Sequence, residues 1–164
     1  MRSALFPGSF DPLHNGHLEI VEMAARTFDH VVVAPLHNAR KGVPLLPLAE
    51  RAEMIADAVA HLDNVAVAVG EGLAVDLARQ VGADVIVKGL RVASDFEHEL
   101  QMAQMNEAIS GIVTLFLPCA STSSFLSSSL IRDIVRLGGA DRVAAMVPPP
   151  VAERLVAVGR VTAQ

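Results

Sequence analysis

The sequence predicts an α/β fold in which five parallel strands form one sheet with helices on both faces. Short runs rich in Val, Ile and Leu alternate along the chain with longer stretches of helical periodicity. These runs are apolar throughout, as is typical of strands covered on both faces. The length of 164 residues and the 52% content of hydrophobic residues suit a single domain, residues 1–164, with a sizeable core.

Five runs have the length and composition of buried strands. They cover residues 3–6, 30–34, 64–69, 84–87 and 112–117. The first run ends at Pro7-Gly8 and the last at Pro118, residues that interrupt regular structure.

Helical patterns fill the intervals between these runs. They cover residues 17–28, 48–62, 73–81, 95–109 and 128–137, and two further helical stretches flank Pro148-Pro149-Pro150 at the C-terminal end. We expect Asp95 to cap the fourth helix and Gly82 to follow the third. The regular alternation predicts right-handed crossovers and therefore a doubly wound, Rossmann-like sheet.

Composition excludes several classes of function. The net charge of −5 argues against a general nucleic-acid binder, and the aromatic residues are six Phe, which leaves few platforms for base stacking. The single Cys119 excludes an intrachain disulfide framework and a Cys-rich zinc site. The early Pro7-Gly8 does not suit a secretory leader, and no apolar run approaches 18 residues, so we expect a cytoplasmic protein with no membrane span.

Ligands of open parallel sheets bind beyond the carboxyl ends of the strands. Residues 8–17 follow the first strand there, and His14 and His17 are spaced to share one helix face. Gly16 allows close approach to the backbone, and the helix N-terminus suits a phosphate. Two alternatives stay open on spacing alone: the His pair caps a turn, or it binds a metal, although no HExxH pattern or nearby Cys is present.

Three more segments place polar residues at the same edge. Arg40 and Lys41 lie in a loop that either embraces an anion or is simply solvated. Lys88 and Arg91 come at the end of the fourth strand. The Ser-rich residues 121–129 open a helix, where hydroxyl and N–H groups serve either phosphate binding or ordinary capping.

Four motifs carry a resemblance to a known family. His14-Asn15-Gly16-His17 resembles the (H/T)xGH signature of the nucleotidyltransferase superfamily, and the preceding PGSFDP resembles a PG(T/S)FDP start. The KGLR…DFEHE segment at 88–99 and SFLSSSLIRDI at 124–134 complete the set. Together they resemble the bacterial phosphopantetheine adenylyltransferases, which join 4′-phosphopantetheine to ATP and release pyrophosphate and dephospho-coenzyme A.

The resemblance implies a role for each matching residue. The catalytic residues would be His17, Lys41 and Arg91. The phosphopantetheine-binding residues would be Ser9, Lys41, Ala74 and Lys88. The ATP-binding residues would be Ser9, Phe10, His14, His17, Gly89, Leu90, Arg91, Glu99, Ser123, Ser124, Phe125, Leu126, Ser127, Ser128 and Ser129. It also implies Mg²⁺ as the cofactor, a homohexamer, and coenzyme A as a feedback ligand.

Two departures and two rival functions accompany the resemblance. Lys88 stands where many members have Arg, so the point charge of an ammonium group replaces a planar guanidinium that can bind in a bidentate manner. Many members also carry an aromatic residue near Ser123, and this chain has none there. A related transferase acting on glycerol phosphate or nicotinamide mononucleotide would share the His pair, but the 88–99 segment argues against it. A non-catalytic nucleotide-binding protein would not need His17, Lys41 and Arg91 together.

Overall fold

The computed structural model describes residues 2–37 and 42–162, which contain a parallel five-stranded sheet in the order β3-β2-β1-β4-β5. The strands are β1 (Ser3–Gly8), β2 (His30–Pro35), β3 (Val65–Val67), β4 (Val85–Leu90) and β5 (Val113–Pro118). All four neighbouring pairs are parallel. The predicted α/β, doubly wound architecture is therefore confirmed.

Six α-helices connect and cover the strands. They are α1 (Asn15–Thr27), α2 (Leu48–Ala58), α3 (Ala74–Gln80), α4 (Ala93–Ser110), α5 (Ser128–Arg136) and α6 (Pro149–Thr162), with 3-10 helices at Ser121–Ser123 and Ala140–Met146. The predicted cap at Asp95 is wrong, because Val92 is the N-cap of α4 and Asp95 lies in its first turn. The two helical stretches predicted around the Pro triplet are the 3-10 helix at Ala140–Met146 and α6, and Pro149 opens α6 because proline is tolerated in a first helical turn.

Strand alternation divides the core between the two faces of the sheet. Ala4, Phe6 and Val33 point to the larger cluster, which α1, α2, α5 and α6 complete. Leu5 and Val32 point to a smaller cluster completed by α3. Both faces of the central strands are therefore buried, which explains why their sequences are apolar throughout.

The fourth strand extends further than its sequence predicts. Lys88, Gly89 and Leu90 pair with Phe116, Leu117 and Pro118 of β5, so β4 continues to Leu90 instead of ending at Val87. This extension places Lys88 within a strand and leaves Arg91 as the first residue beyond it.

One flank of the sheet exposes apolar side chains on α4 and on the edge strand β5. Of the α4 side chains that the structure describes, only Ala103 is buried. We call the exposed set the α4–β5 patch: Phe96, Met102, Met105, Ile109, Val113 and Leu115, each between 40% and 63% exposed. Large contiguous apolar patches on protein surfaces commonly mark interaction sites. Within residues 2–37 and 42–162, no helix is long and apolar enough to cross a membrane.

Candidate active site

The site lies where the strand order reverses, between β1 and β4. In a doubly wound sheet the connections leaving the two strands at this point diverge to opposite faces and open a crevice at their carboxyl ends. The loop after β1 leads into α1, and Arg91 and Val92 lead from β4 into α4. The start of α5 borders the same crevice, because the Ser128 hydroxyl donates to the Pro12 carbonyl at 3.0 Å.

The two histidines of the first motif form one stacked pair at the start of α1. Their ring centroids are 3.6 Å apart and the rings are nearly parallel. His14 is the N-cap, and His17 Nδ1 accepts a hydrogen bond from the backbone N–H of His14 at 3.2 Å. With Nδ1 accepting, the proton of the neutral His17 ring lies on Nε2, which makes Nε2 a donor. The pair therefore caps the start of α1, which is one of the two alternatives left open by the sequence, and the His17 ring also carries a donor at Nε2.

Phe10 supports His17 from the other side. The Phe10 ring meets the His17 ring edge-on with centroids 5.1 Å apart, and Phe10 is 2% exposed. Its φ of 44° lies in the left-handed region, a strained backbone that non-glycine residues rarely adopt. Gly8 is required beneath this ring, because a Cβ at position 8 would lie 2.8 Å from it. Phe10 thus orients His17 rather than exposing its own ring.

His14 is almost fully buried. A side chain at position 16 would crowd it, since a Cβ there would lie 3.2 Å from His14 Nδ1. Burial, aided by the nearby Arg91 guanidinium, lowers the pKa of His14 to about 4. His14 is therefore neutral near pH 7. Its buried Nδ1 bonds to no group among residues 2–37 and 42–162.

The low pKa of His14 makes stability depend on pH. As pH falls below about 6.5, the unfolded chain takes up a proton at His14 before the folded chain does, so stability is full above that pH and declines toward pH 4. We expect the free energy of unfolding in urea to fall between pH 7 and pH 5 by about 2 kcal/mol more in the wild type than in His14→Asn. Equal declines in the two proteins would contradict this assignment.

The end of β4 supplies the second group of predicted residues. Lys88 Nζ lies 3.4 Å from Glu99 Oε2 of α4, and both side chains are largely shielded. Arg91 Nη1 donates to the Leu126 carbonyl at 2.6 Å. This bond joins the loop after β4 to the loop before α5. Glycine at position 89 also allows α1 to pack closely against β4, because a Cβ there would lie 3.0 Å from Ile20 of α1.

The Ser-rich segment forms the third side of the crevice. Ser127 is the N-cap of α5 and Ser128 its first residue, as the sequence predicts. Ser124 is half-buried, Leu126 is buried, and Phe125 is 65% exposed. The α5 N-terminus therefore lies beside the loop after β1 with Ser129 exposed.

Ser123 lies at the end of the 3-10 helix Ser121–Ser123. It is 5% exposed, and its hydroxyl donates to Glu19 Oε1 of α1. The second oxygen, Glu19 Oε2, is buried and bonds to no other described group. A polar pair therefore joins the 3-10 helix to α1 at this position, and Glu19 was not identified from the sequence.

Sequence reasoning also missed three buried charged residues in and around the loop after β1. Asp11, Arg51 and Arg132 are 4%, 3% and 7% exposed. Arg51 lies three residues before Met54 and four before Ile55 on the buried face of α2, and Arg132 lies beside Ile131 on that of α5. A charged residue on an apolar helix face was the available signal.

Two predicted site residues, Lys41 and Ala74, are not among those described above. Lys41 lies outside the described residues. Ala74, the first residue of α3, is half-buried against the smaller core cluster at the carboxyl end of β3. The other predicted site residues belong to the loop after β1, the start of α1, the end of β4 and the residue after it, α4, or the segment from the 3-10 helix to the first turn of α5.

Comparisons with known proteins agree with this arrangement. The family model described as Cytidylyltransferase-like matches residues 5–134. A phosphopantetheine adenylyltransferase from Gloeobacter violaceus is 53% identical over 153 residues, which are 93% of each chain.

Two solved structures share the fold. One, from Vibrio parahaemolyticus and described as a "Putative Nicotinate-nucleotide Adenylyltransferase", is 18% identical with a TM-score of 0.66 and covers 95% of this chain and 99% of its own. The lipopolysaccharide core biosynthesis protein from Thermoplasma volcanium is 20% identical with a TM-score of 0.54 and covers 73% and 97%. On the family model and the 53% identity, the chain belongs to the cytidylyltransferase-like nucleotidyltransferases and, among them, to the phosphopantetheine adenylyltransferase family.

Proposed function

We propose that this chain transfers AMP from ATP to 4′-phosphopantetheine, giving dephospho-coenzyme A and pyrophosphate in the penultimate step of coenzyme A biosynthesis. The observation that carries the proposal is the convergence of three motifs on one crevice. The His14–His17 pair, the Lys88–Arg91 strand end and the start of α5 all border the switch point of the sheet.

The chemistry needs no protein nucleophile. A phosphate oxygen of phosphopantetheine attacks the α-phosphorus of ATP, a new P–O bond forms, and the bond to the bridging oxygen of the β-phosphate breaks. The electron pair leaves with pyrophosphate. Because the attacking phosphate is already anionic near neutral pH, no dedicated base is required. Catalysis then consists of positioning and of stabilising charge on the α-phosphate.

His17 is the residue we assign to that charge. Its Nδ1 is occupied by the His14 backbone N–H, and its ring is packed between His14 and Phe10. The Nε2 proton is therefore directed in advance, which is the condition under which a donor stabilises a transition state effectively. His14, kept neutral by its low pKa, adds no competing charge beside it.

The remaining predicted site residues would each bind one of the two substrates. Ser9, Lys41 and Lys88 would hold the phosphate of phosphopantetheine, with Ala74 lining its remaining part. Lys88 now lies beside Glu99, so the incoming phosphate would replace that carboxylate as its partner. Arg91 and the N-terminal turn of α5 would hold the β- and γ-phosphates of ATP.

Mg²⁺ would enter as its complex with ATP. The part of the chain that the structure describes has no group of three or more His, Cys, Asp or Glu side chains able to hold a metal ion. Mg²⁺ commonly keeps several waters and binds substrate phosphates, so such a site suits it without a protein cage. Its contribution when bound would be to neutralise charge on the leaving pyrophosphate.

The α4–β5 patch supports self-association, and we infer the homohexamer that the family resemblance implies. Met105→Glu, at a residue 63% exposed, should yield smaller species in sedimentation velocity because it places a charge in the buried interface. Leu137→Glu is the control, since Leu137 is 88% exposed on the short turn after α5. A wild type that sediments as a monomer, or a Met105→Glu protein that still sediments as a hexamer, would contradict the inference.

Two further parts of the proposal follow from the substrates. Coenzyme A contains the pantetheine portion of the acceptor, so we propose that it occupies the acceptor site as a feedback ligand and competes with phosphopantetheine. We place the activity in the cytoplasm, where ATP is supplied.

A substrate panel tests the acceptor. Pyrophosphate release from ATP is measured with 4′-phosphopantetheine, glycerol phosphate or nicotinamide mononucleotide, each with and without Mg²⁺. Of the three acceptors, we expect only phosphopantetheine to support pyrophosphate release from ATP, and we expect that release to require Mg²⁺. Faster release with either other acceptor would replace the proposed substrate, and no release with any of them would favour a non-catalytic nucleotide-binding protein.

A further inference from the structure

A buried charged cluster joins the loop that follows β1 to the helices α2 and α5. It consists of Asp11, Arg51 and Arg132, and we call the two arginines the arginine brace. Lys and Arg are almost never fully buried without compensating contacts, because desolvating a charge is costly. The contacts of the brace therefore indicate what it does.

Arg51 holds the loop from α2. Its Nη1 donates to the Ser9 carbonyl at 2.6 Å, across 42 positions of sequence. Ser9 is the residue to which the proposed function assigns the acceptor phosphate. Arg51 Nε is buried with no hydrogen-bond partner among the described residues, so the guanidinium is only partly satisfied. The side chain that holds the Ser9 carbonyl thus keeps one buried donor without an acceptor among the described residues.

Arg132 holds the same loop from α5. Its Nη1 donates to the Asp11 carbonyl at 2.7 Å, and its Nη2 donates to the Ser129 hydroxyl at 3.1 Å. Arg132 Nε also lies 3.8 Å from Asp11 Oδ2. Arg132 therefore fixes the loop after β1 relative to the first turn of α5. The loop carries Ser9, which is assigned to the acceptor phosphate, and the first turn of α5 is assigned to the phosphates of ATP.

Asp11 extends the cluster to the segment that follows Lys41. Its two carboxylate oxygens accept the backbone N–H groups of Leu45 and Leu46, each at 3.0 Å. Three of the four phosphate-binding segments predicted from the sequence are thus linked, directly or through a few residues, to one buried cluster.

The charges of the cluster do not balance. Two guanidinium groups face one carboxylate, which leaves a positive excess just below the phosphate loop. In surroundings of low dielectric such an excess acts over several ångströms more strongly than it would in water. A phosphate bound at Ser9 would compensate it.

We propose that Arg51 and Arg132 are positioning residues for substrate phosphate, fixing Ser9 and the first turn of α5 through backbone contacts and adding positive potential beneath them. This inference rests on the proposed function. A purely structural brace would instead lower stability without changing how the folded protein binds anions.

The test compares Arg51→Met with Arg51→Lys and with Arg79→Met. Lysine keeps the charge and one donor for the Ser9 carbonyl. Arg79 is a matched control, because its Nη2 also donates to a backbone carbonyl, that of Ser110 at 3.0 Å, but it is exposed on α3 and joins that helix to the C-terminal end of α4. KM and kcat for both substrates are measured at a temperature where thermal melts show every variant folded.

We expect Arg51→Met to raise the KM for phosphopantetheine by about tenfold or more, equivalent to about 1.4 kcal/mol, and to change the KM for ATP less. Arg51→Lys should recover most of the loss, and Arg79→Met should behave as the wild type. Lower thermal stability with both KM values unchanged would overturn the proposal. If Arg51→Met does not fold, Arg51→Gln takes its place in the same comparison.

A second readout separates this inference from the proposed function. Inorganic phosphate, which stands in for the phosphate of the acceptor, should raise the melting temperature of the wild type and of Arg79→Met, but raise that of Arg51→Met distinctly less, because binding to the folded state stabilises it. If the wild type shows no turnover with phosphopantetheine, the proposed function fails while this comparison still decides on the brace. Equal shifts in all three proteins would overturn the inference.

Discussion

Replacing His17 with alanine should lower kcat by a factor on the order of 10²–10³, the usual cost of removing one preorganised donor to a developing oxyanion. The Nε2 proton of His17 is oriented in the free protein by the His14 backbone N–H on Nδ1 and by Phe10 against the ring. The KM for ATP should change much less, because the interaction strengthens only as charge gathers on the α-phosphate. Steady-state kinetics with both substrates measures the effect.

His61→Ala is the control for this substitution. The His61 side chain is 53% exposed and pairs with Glu22 at 3.3 Å on the surface. It should retain wild-type kcat. Near wild-type turnover in His17→Ala, with the protein folded by thermal melting, would remove His17 from the catalytic step.

Replacing Asp11 with alanine should cost about 3–5 kcal/mol of stability, the usual penalty for removing one partner of a buried ion pair. The substitution leaves the N–H groups of Leu45 and Leu46 without their acceptor and leaves Arg51 and Arg132 without a counter-charge. For a chain of this size the melting temperature should fall by roughly 10 °C. Equilibrium unfolding in urea gives the free energy directly.

Asp133→Ala is the matched control for Asp11→Ala. Asp133 is exposed on α5, the helix that also carries Arg132, and its loss should change stability by no more than about 0.5 kcal/mol. Equal losses in the two variants would show that the buried cluster contributes no more to the fold than a surface carboxylate.

The sheet could be predicted because its strands are short, apolar and separated by helical patterns. The deviations arise at strand ends, where pairing with a neighbour decides the length. The run at 64–69 is shortened to Val65–Val67, the residues that pair with Val31, Val32 and Val33 of β2. The run at 84–87 is lengthened to Leu90 because β5 continues alongside it.

The candidate site likewise contains residues that local sequence patterns identify and residues that they do not. His14, His17, Arg91 and the start of α5 lie at strand and helix ends, where local patterns and the motifs identify them. Glu19 and Arg132 make their contacts to residues more than 100 positions away, so even the position of Arg132 on an apolar helix face signals its burial but not its partner. Their roles depend on tertiary packing, which no local pattern carries.

The central claim is direct transfer of AMP between two bound substrates, with no adenylylated enzyme. Exchange of labelled pyrophosphate into ATP tests it most directly, measured on the wild type with and without 4′-phosphopantetheine in the presence of Mg²⁺. We predict exchange only when phosphopantetheine is present, because pyrophosphate can leave only as the acceptor phosphate attacks. Exchange without the acceptor, or no exchange with it, would contradict the account.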